Sequence, residues 1–168
     1  LFALEEALRL KDKFGGKVTM LCMGPPQAED ALKKCISFGA DDAVLVTDRS
    51  FAGADTLATS YALAAAIRQI GREQKVDIVF TGKQTIDGDT AQVGPGIAKR
   101  LGLQLLTYVS RIAELDLEAD TITVERRAEG GVQVLKTAVP CLITMLEGTN
   151  EMRFAPLENM IHAARYPV

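Results

Sequence analysis

Four short runs of almost unbroken apolar residues constrain this chain more than any other feature. They are residues 17–23 (KVTMLCM), 43–47 (AVLVT), 76–80 (VDIVF) and 140–146 (PCLITML). A strand with one wet face alternates apolar and polar residues, whereas a strand that is apolar throughout needs cover on both faces. Between the runs the period becomes helical. Residues 26–38 set Ala28, Ala31, Leu32, Cys35 and Ile36 on one helix face, and Gly39 closes it. Asp55 or Thr56 begins an alanine-rich helix that reaches about Gln69, and residues 92–101 form another. At the start, Leu1, Leu4, Leu8 and Leu10 among charges predict an amphipathic helix ending near Gly15 and Gly16. The alternation predicts an α/β fold: a mostly parallel sheet with helices on both faces.

After Leu103 the pattern changes to period two, over residues 108–112, 121–126 and 132–136, with Asp120, Gly130 and Gly131 supplying the turns. This predicts an antiparallel extension of the parallel sheet. The 168 residues suffice for a single domain, with no repeat or linker long enough to divide them. The sequence opens in mid-helix without an initiator methionine, so the expectation is a piece of a longer subunit. It carries no visible signal peptide.

Composition removes several function classes. Nineteen basic against 22 acidic residues give a net charge of −3, which offers no field for nucleic acid or an anionic membrane. No apolar run approaches the roughly 20 residues of a spanning helix. Three cysteines (Cys22, Cys35 and Cys141) without a CxxC pair argue against a disulfide scaffold or zinc site, and their apolar settings read as core. The single histidine, His162, excludes motifs that need two and reads as structural or surface-exposed. No triad, metal cluster or carboxylate pair is legible, so no self-contained catalytic residues are expected.

The informative stretch is residues 81–96, TGKQTIDGDTAQVGPG, lying after a strand and before a helix. At the carboxyl edge of a parallel sheet, that position is where ligands bind, and a helix start offers free N–H groups to an anion. Small residues (Gly82, Gly88, Thr90, Ala91, Gly94) let a ligand come close to the backbone. Two common phosphate loops do not fit. A Walker A motif needs glycine at 77 and Ser/Thr at 84, where the chain has Asp77 and Gln84; a GxGxxG from Gly94 needs glycine at 99, which is Lys99. From composition alone, a nucleotide loop and a structural loop with capping aspartates are equally open.

The run Gly82-Lys83-Gln84-Thr85-Ile86-Asp87-Gly88-Asp89-Thr90-Ala91-Gln92-Val93-Gly94-Pro95 resembles the loop motif of electron-transfer flavoprotein beta subunits. The likeness continues through Val124-Glu125-Arg126, Gly130-Gly131, Pro140 and residues 153–160, so it covers the whole chain. Family subunits are longer at both ends, and their first strand and C-terminal arm fall outside this sequence. The resemblance implies an adenine-nucleotide-binding domain that pairs with an alpha subunit carrying FAD. Its own nucleotide would be AMP in simple carriers or a second FAD in electron-bifurcating members, and DGDTAQVGP at 87–95 is closer to the latter. The implied partners are the alpha subunit and an acyl-CoA-type or other flavin dehydrogenase. The implied setting is a bacterial or archaeal cytoplasm, ahead of a mitochondrial matrix.

The same resemblance implies cofactor contacts from Met23, Gly24, Gly82, Lys83, Gln84, Asp87, Gly88, Asp89, Thr90, Ala91, Gln92, Val93 and Gly94. Backbone amides from Thr90 to Gly94 are the expected phosphate cradle. Asp87 and Asp89 repel phosphate and are assigned to capping or to hydroxyl and backbone hydrogen bonds. Met23 and Gly24 lie at the adenine end or simply form a turn, and Lys83 reaches a phosphate or is solvated. Leu157 matches a partner-docking leucine; the alternative is a hydrophobic staple after Pro156. A competing function is a stand-alone ATP- or AMP-binding stress-type module without a redox role, although the loop lacks that module's glycine-rich pattern with a following Ser/Thr pair.

Overall fold

A computed structural model describes residues 1–86 and 88–168 of the chain. In order these form α1 (Phe2–Phe14), β1 (Thr19–Met23), α2 (Glu29–Phe38), β2 (Asp42–Val46), α3 (Thr56–Glu73) and β3 (Ile78–Gly82). Then follow α4 (Val93–Leu101), β4 (Gln104–Asp116), β5 (Thr121–Ala128), β6 (Gly131–Ala138), β7 (Cys141–Met145) and α5 (Leu157–Ala164). The α/β class, the helices on both faces and the antiparallel extension agree with the sequence.

The helix ends follow local chemistry. The Asp55 carboxylate caps α3 by accepting the Ala58 N–H at 2.8 Å. Gly39 closes α2 at φ 116, a left-handed conformation that glycine adopts without strain. Pro25 and Pro26 shift the start of α2: residues 26–28 make one 3-10 turn, and the α-helix begins only at Glu29.

Five strands form one sheet in the order β3-β7-β4-β5-β6. β3, β7 and β4 run parallel, while β4, β5 and β6 form the antiparallel part. β7 is buried at every position, which explains its unbroken apolar sequence. Its side chains alternate between two cores. Cys141, Ile143 and Met145 join Leu106, Val109, Ile122 and Val124, while Leu142 packs with Ala64, Ile97 and Ala98 of α3 and α4. A third core unites α1, α2, β2 and α5 through Leu4, Leu8, Leu32, Ile36, Ala43 and Ala163.

The sequence predicts one sheet, but β1 and β2 pair in parallel as a separate two-stranded sheet. β1 and β3 do not pair. A cavity of about 700 Å³ separates them, lined by residues 17–21 on one side and 75–81 on the other, with α1 and α3 as walls. The Gln74 side chain donates to Thr19 Oγ1 at 3.0 Å, joining the entrances of both strands and setting their carboxyl ends on the same side. Both strands are only half-buried because of this slot.

Candidate functional site

The carboxyl ends of β1 and β3 and the start of α4 form one edge of the molecule. Gly82 ends β3, and a Cβ built there would meet nothing within 4 Å. The backbone beyond it is open to an approaching group. The loop then closes on itself: the Gln84 amide donates to the Asp89 carboxylate. Ala91 has φ 52, a left-handed conformation that costs a non-glycine residue on the order of 1 kcal/mol and concentrates at functional sites. Gln92 Oε1 accepts the Thr56 hydroxyl at 2.7 Å, tying the entrance of α4 to that of α3. Asp87 lies outside the described residues.

The α4 start carries no side-chain cap. Gly96 N–H closes the first helical turn on Gln92 C=O at 2.9 Å, and Pro95 has no N–H to offer. The N–H groups of Val93 and Gly94 therefore remain at the positive end of a nine-residue helix. Of the two roles open to Asp89, capping of this helix is not the one seen: its carboxylate accepts from Gln84. Lys83 holds its ammonium 5.7 Å from the centre of the Tyr108 ring, a cation–π contact.

Gly94 has a packing role independent of any ligand. A Cβ there would stand 2.8 Å from Thr144 Cγ2 and 2.9 Å from Thr81 Oγ1. Thr81 and Thr144 are paired across β3 and β7, so α4 rests its first turn directly on two strand threonines. Thr81 Oγ1 is buried and has no hydrogen-bond partner. Gly96 makes a similar approach to Ser60, at 2.7 Å, where α4 crosses α3.

Met23 and Gly24 sit across the slot from Gly82, on the same carboxyl edge. Gly24 continues the β1–β2 ladder by donating to Val46 C=O at 3.1 Å, and a Cβ on it would come within 3.1 Å of the Ala28 side chain. Of the other loop positions, Thr90 is exposed, Gly88 and Ala91 are half-buried, and none belongs to a core.

Sequence reasoning misses three residues here: Thr81, Thr144 and Tyr108. Threonine is an ordinary strand residue, so the first two carry no signal. Tyr108 lies at a bulge where the β4–β7 register slips between Leu106 and Val109. It has φ 57, its N–H donates to Thr144 Oγ1 at 3.2 Å, and its side chain is 38% exposed. Bulges re-aim side chains, and this one turns an aromatic ring toward Lys83.

A second surface follows β7. Glu5 on α1 is 4% exposed, and its carboxylate accepts both the backbone N–H of Arg153 (3.1 Å) and its guanidinium (3.0 and 3.2 Å). Burial alone would raise the Glu5 pKa, but the hydrogen bonds from Arg153 and Arg9 outweigh it and hold the carboxyl below its usual range. This clamp fixes the segment that presents Phe154, Leu157, Met160 and Ile161, all exposed. Leu157 is 70% exposed as the first residue of α5, so it forms no staple. His162 is exposed beside Tyr166; Cys141 is fully buried, and Cys22 and Cys35 are half-buried, all three as free thiols. Among the described residues no helix is long and apolar enough to cross a membrane.

Comparison with known proteins gives the family of the chain. The family model described as "Electron transfer flavoprotein domain" matches residues 1–166. "Protein FixA" of Azotobacter vinelandii is 73% identical over 166 residues, covering 99% of this chain and 59% of the relative. "Protein FixA" of Azorhizobium caulinodans is 67% identical, covering 100% and 60%. "Electron transfer flavoprotein subunit beta" of Clostridium acetobutylicum is 48% identical over 161 residues, covering 96% and 60%. The chain thus spans about three fifths of the length of these relatives. On the family match and these identities, the chain belongs to the electron transfer flavoprotein domain family and is a relative of its beta subunits.

Proposed function

We propose that this chain is the nucleotide-binding part of an electron-transfer flavoprotein beta subunit, working in a heterodimer with an alpha subunit that carries FAD. The observation that carries the proposal is the uncapped start of α4 beside the open backbone at Gly82. Uncapped N–H groups at a helix start suit a phosphate, and the buried Thr81 hydroxyl without a partner lies directly beneath that turn. These residues fit an adenine nucleotide, AMP or FAD. The Val93 and Gly94 amides would hold its phosphate, the backbone at Gly82 would let it approach, and Met23 and Gly24 would flank its adenine. Gln84, Asp89 and Gln92 hold the loop in shape. The remaining loop contacts, from Lys83, Asp87, Gly88, Thr90 and Ala91, belong to the same proposal.

A flavin supplies the electron chemistry when bound, and the protein supplies binding, spacing and electrostatics. The proposed role is to pass electrons between a flavin dehydrogenase and a downstream acceptor. The loop sequence 87–95 favours the electron-bifurcating branch with a second FAD. Leu157 on its clamped segment would dock the dehydrogenase. The slot between β1 and β3 supports the domain reading: a five-residue strand fills about 16 × 4.8 × 10 Å, or about 800 Å³, close to the cavity's 700 Å³. One further strand, the family's first, would complete a single sheet. A bacterial cytoplasmic setting agrees with the relatives' organisms.

The test is to denature the purified protein and identify the released nucleotide by mass. FAD, or AMP from a complex that also carries flavin, supports the reading. Release of ATP or AMP from a colourless complex would favour the stand-alone module instead.

A further inference from the structure

Tyr108 is strained and outward-facing at the carboxyl edge of the parallel strands, and no fold requirement calls for an aromatic ring there. Its φ of 57 is a conformation that asparagine or glycine adopts far more cheaply. The bulge that imposes it is held by the Tyr108 N–H bond to Thr144, and Thr144 in turn lies under the first turn of α4. One threonine therefore links the ring's position to the proposed phosphate site. Lys83, from the loop itself, already lies over the ring at 5.7 Å.

The placement along the edge has a consequence for ligand size. Counting the slot as one strand position, Met23 on β1 and Tyr108 on β4 stand on opposite sides of β3. They are about four strand spacings, or about 19 Å, apart. A mononucleotide seated on the α4 start reaches only one of them. A dinucleotide, with its pyrophosphate at the centre, reaches both.

Resting on the nucleotide reading above, we propose that Tyr108 is the stacking platform for the second planar ring of a dinucleotide. Its left-handed bulge aims the ring, and Lys83 covers it until the ligand arrives. Aromatic side chains gain stacking with planar heterocycles of any sequence or substitution, which suits a platform.

The experiment titrates FAD and, separately, AMP into nucleotide-stripped protein, reading flavin fluorescence and affinity. The variants are Tyr108→Phe, which keeps the ring, and Tyr108→Asn, which keeps the left-handed backbone and removes the ring. Wild type and Tyr108→Phe should quench bound flavin, whereas Tyr108→Asn should bind FAD about 5- to 150-fold more weakly with quenching relieved. AMP affinity should be equal in all three. Equal FAD affinity and quenching in Tyr108→Asn would overturn the inference. So would a wild type that takes AMP but not FAD, which leaves the nucleotide reading standing; binding of neither would overturn both.

Discussion

Replacing Gly94 with alanine should destabilise the chain, although alanine is the better helix former. The helix term favours the change by about 0.5–1 kcal/mol. Against it, the new methyl would sit 2.8 Å from Thr144 Cγ2 and 2.9 Å from Thr81 Oγ1, both on rigid strands. Overpacking of this kind typically costs about 1–3 kcal/mol, leaving a net loss of up to about 2.5 kcal/mol. Unfolding entropy for 168 residues is about 0.35 kcal/mol/K, so the melting temperature should fall, by up to about 7 °C. Thermal denaturation followed by circular dichroism measures it. Gly82→Ala, whose methyl meets nothing within 4 Å, is the control and should melt with the wild type or slightly above. Thr144→Ser removes the clashing methyl but keeps the hydroxyl that accepts from Tyr108, so part of the loss should be recovered in the double variant. A Gly94→Ala protein that melts at or above wild type would refute the close-packing argument.

Two further outcomes concern the segment after β7. Glu5 has a folded pKa below its unfolded value, so its stabilisation is fully present above the ordinary carboxylate range and is lost as pH falls through the folded value. Glu5→Gln should therefore cost about 1–3 kcal/mol at pH 7, and the gap to wild type should shrink below about pH 4; a gap constant with pH would contradict the clamp. Leu157→Ala should raise the KM of a partner dehydrogenase for the flavoprotein about 5- to 150-fold with the melting temperature unchanged, and an unaltered KM would remove the docking role.

The one fully covered strand among the described residues, β7, was legible because cover on both faces requires it to be apolar throughout. The hairpin turn was equally legible, since Gly130 and Gly131 both take positive φ. β4 was only half legible. Its first part pairs in parallel with β7 and its second part antiparallel with β5, and bulges near Tyr108 and Ala113 break the alternation. The strand therefore begins at Gln104, four residues before its period-two pattern becomes visible. The loop stood out by its place between a strand and a helix and by its resemblance to a family motif, while its composition left a nucleotide loop and a structural loop equally open. The threonines beneath it did not stand out, because their importance lies in register: Thr81 meets Thr144, 63 residues further on, only once β3 and β7 are paired. Gly94 illustrates the same limit, since small size at a helix start serves ligand approach and close packing alike.

The slot between β1 and β3 has a consequence for what can be seated in it. Each strand presents a row of unpaired backbone donors and acceptors along one edge, with half-buried apolar side chains above and below. Two such edges facing a common opening form a template for any extended apolar segment, including one from another molecule. A segment seated in the slot would pair with β1 and β3 at once and cover the half-buried side chains of both. A charge introduced at Met20 or Val79, which line the slot and pack against the cores beside it, would oppose that pairing and would also cost stability.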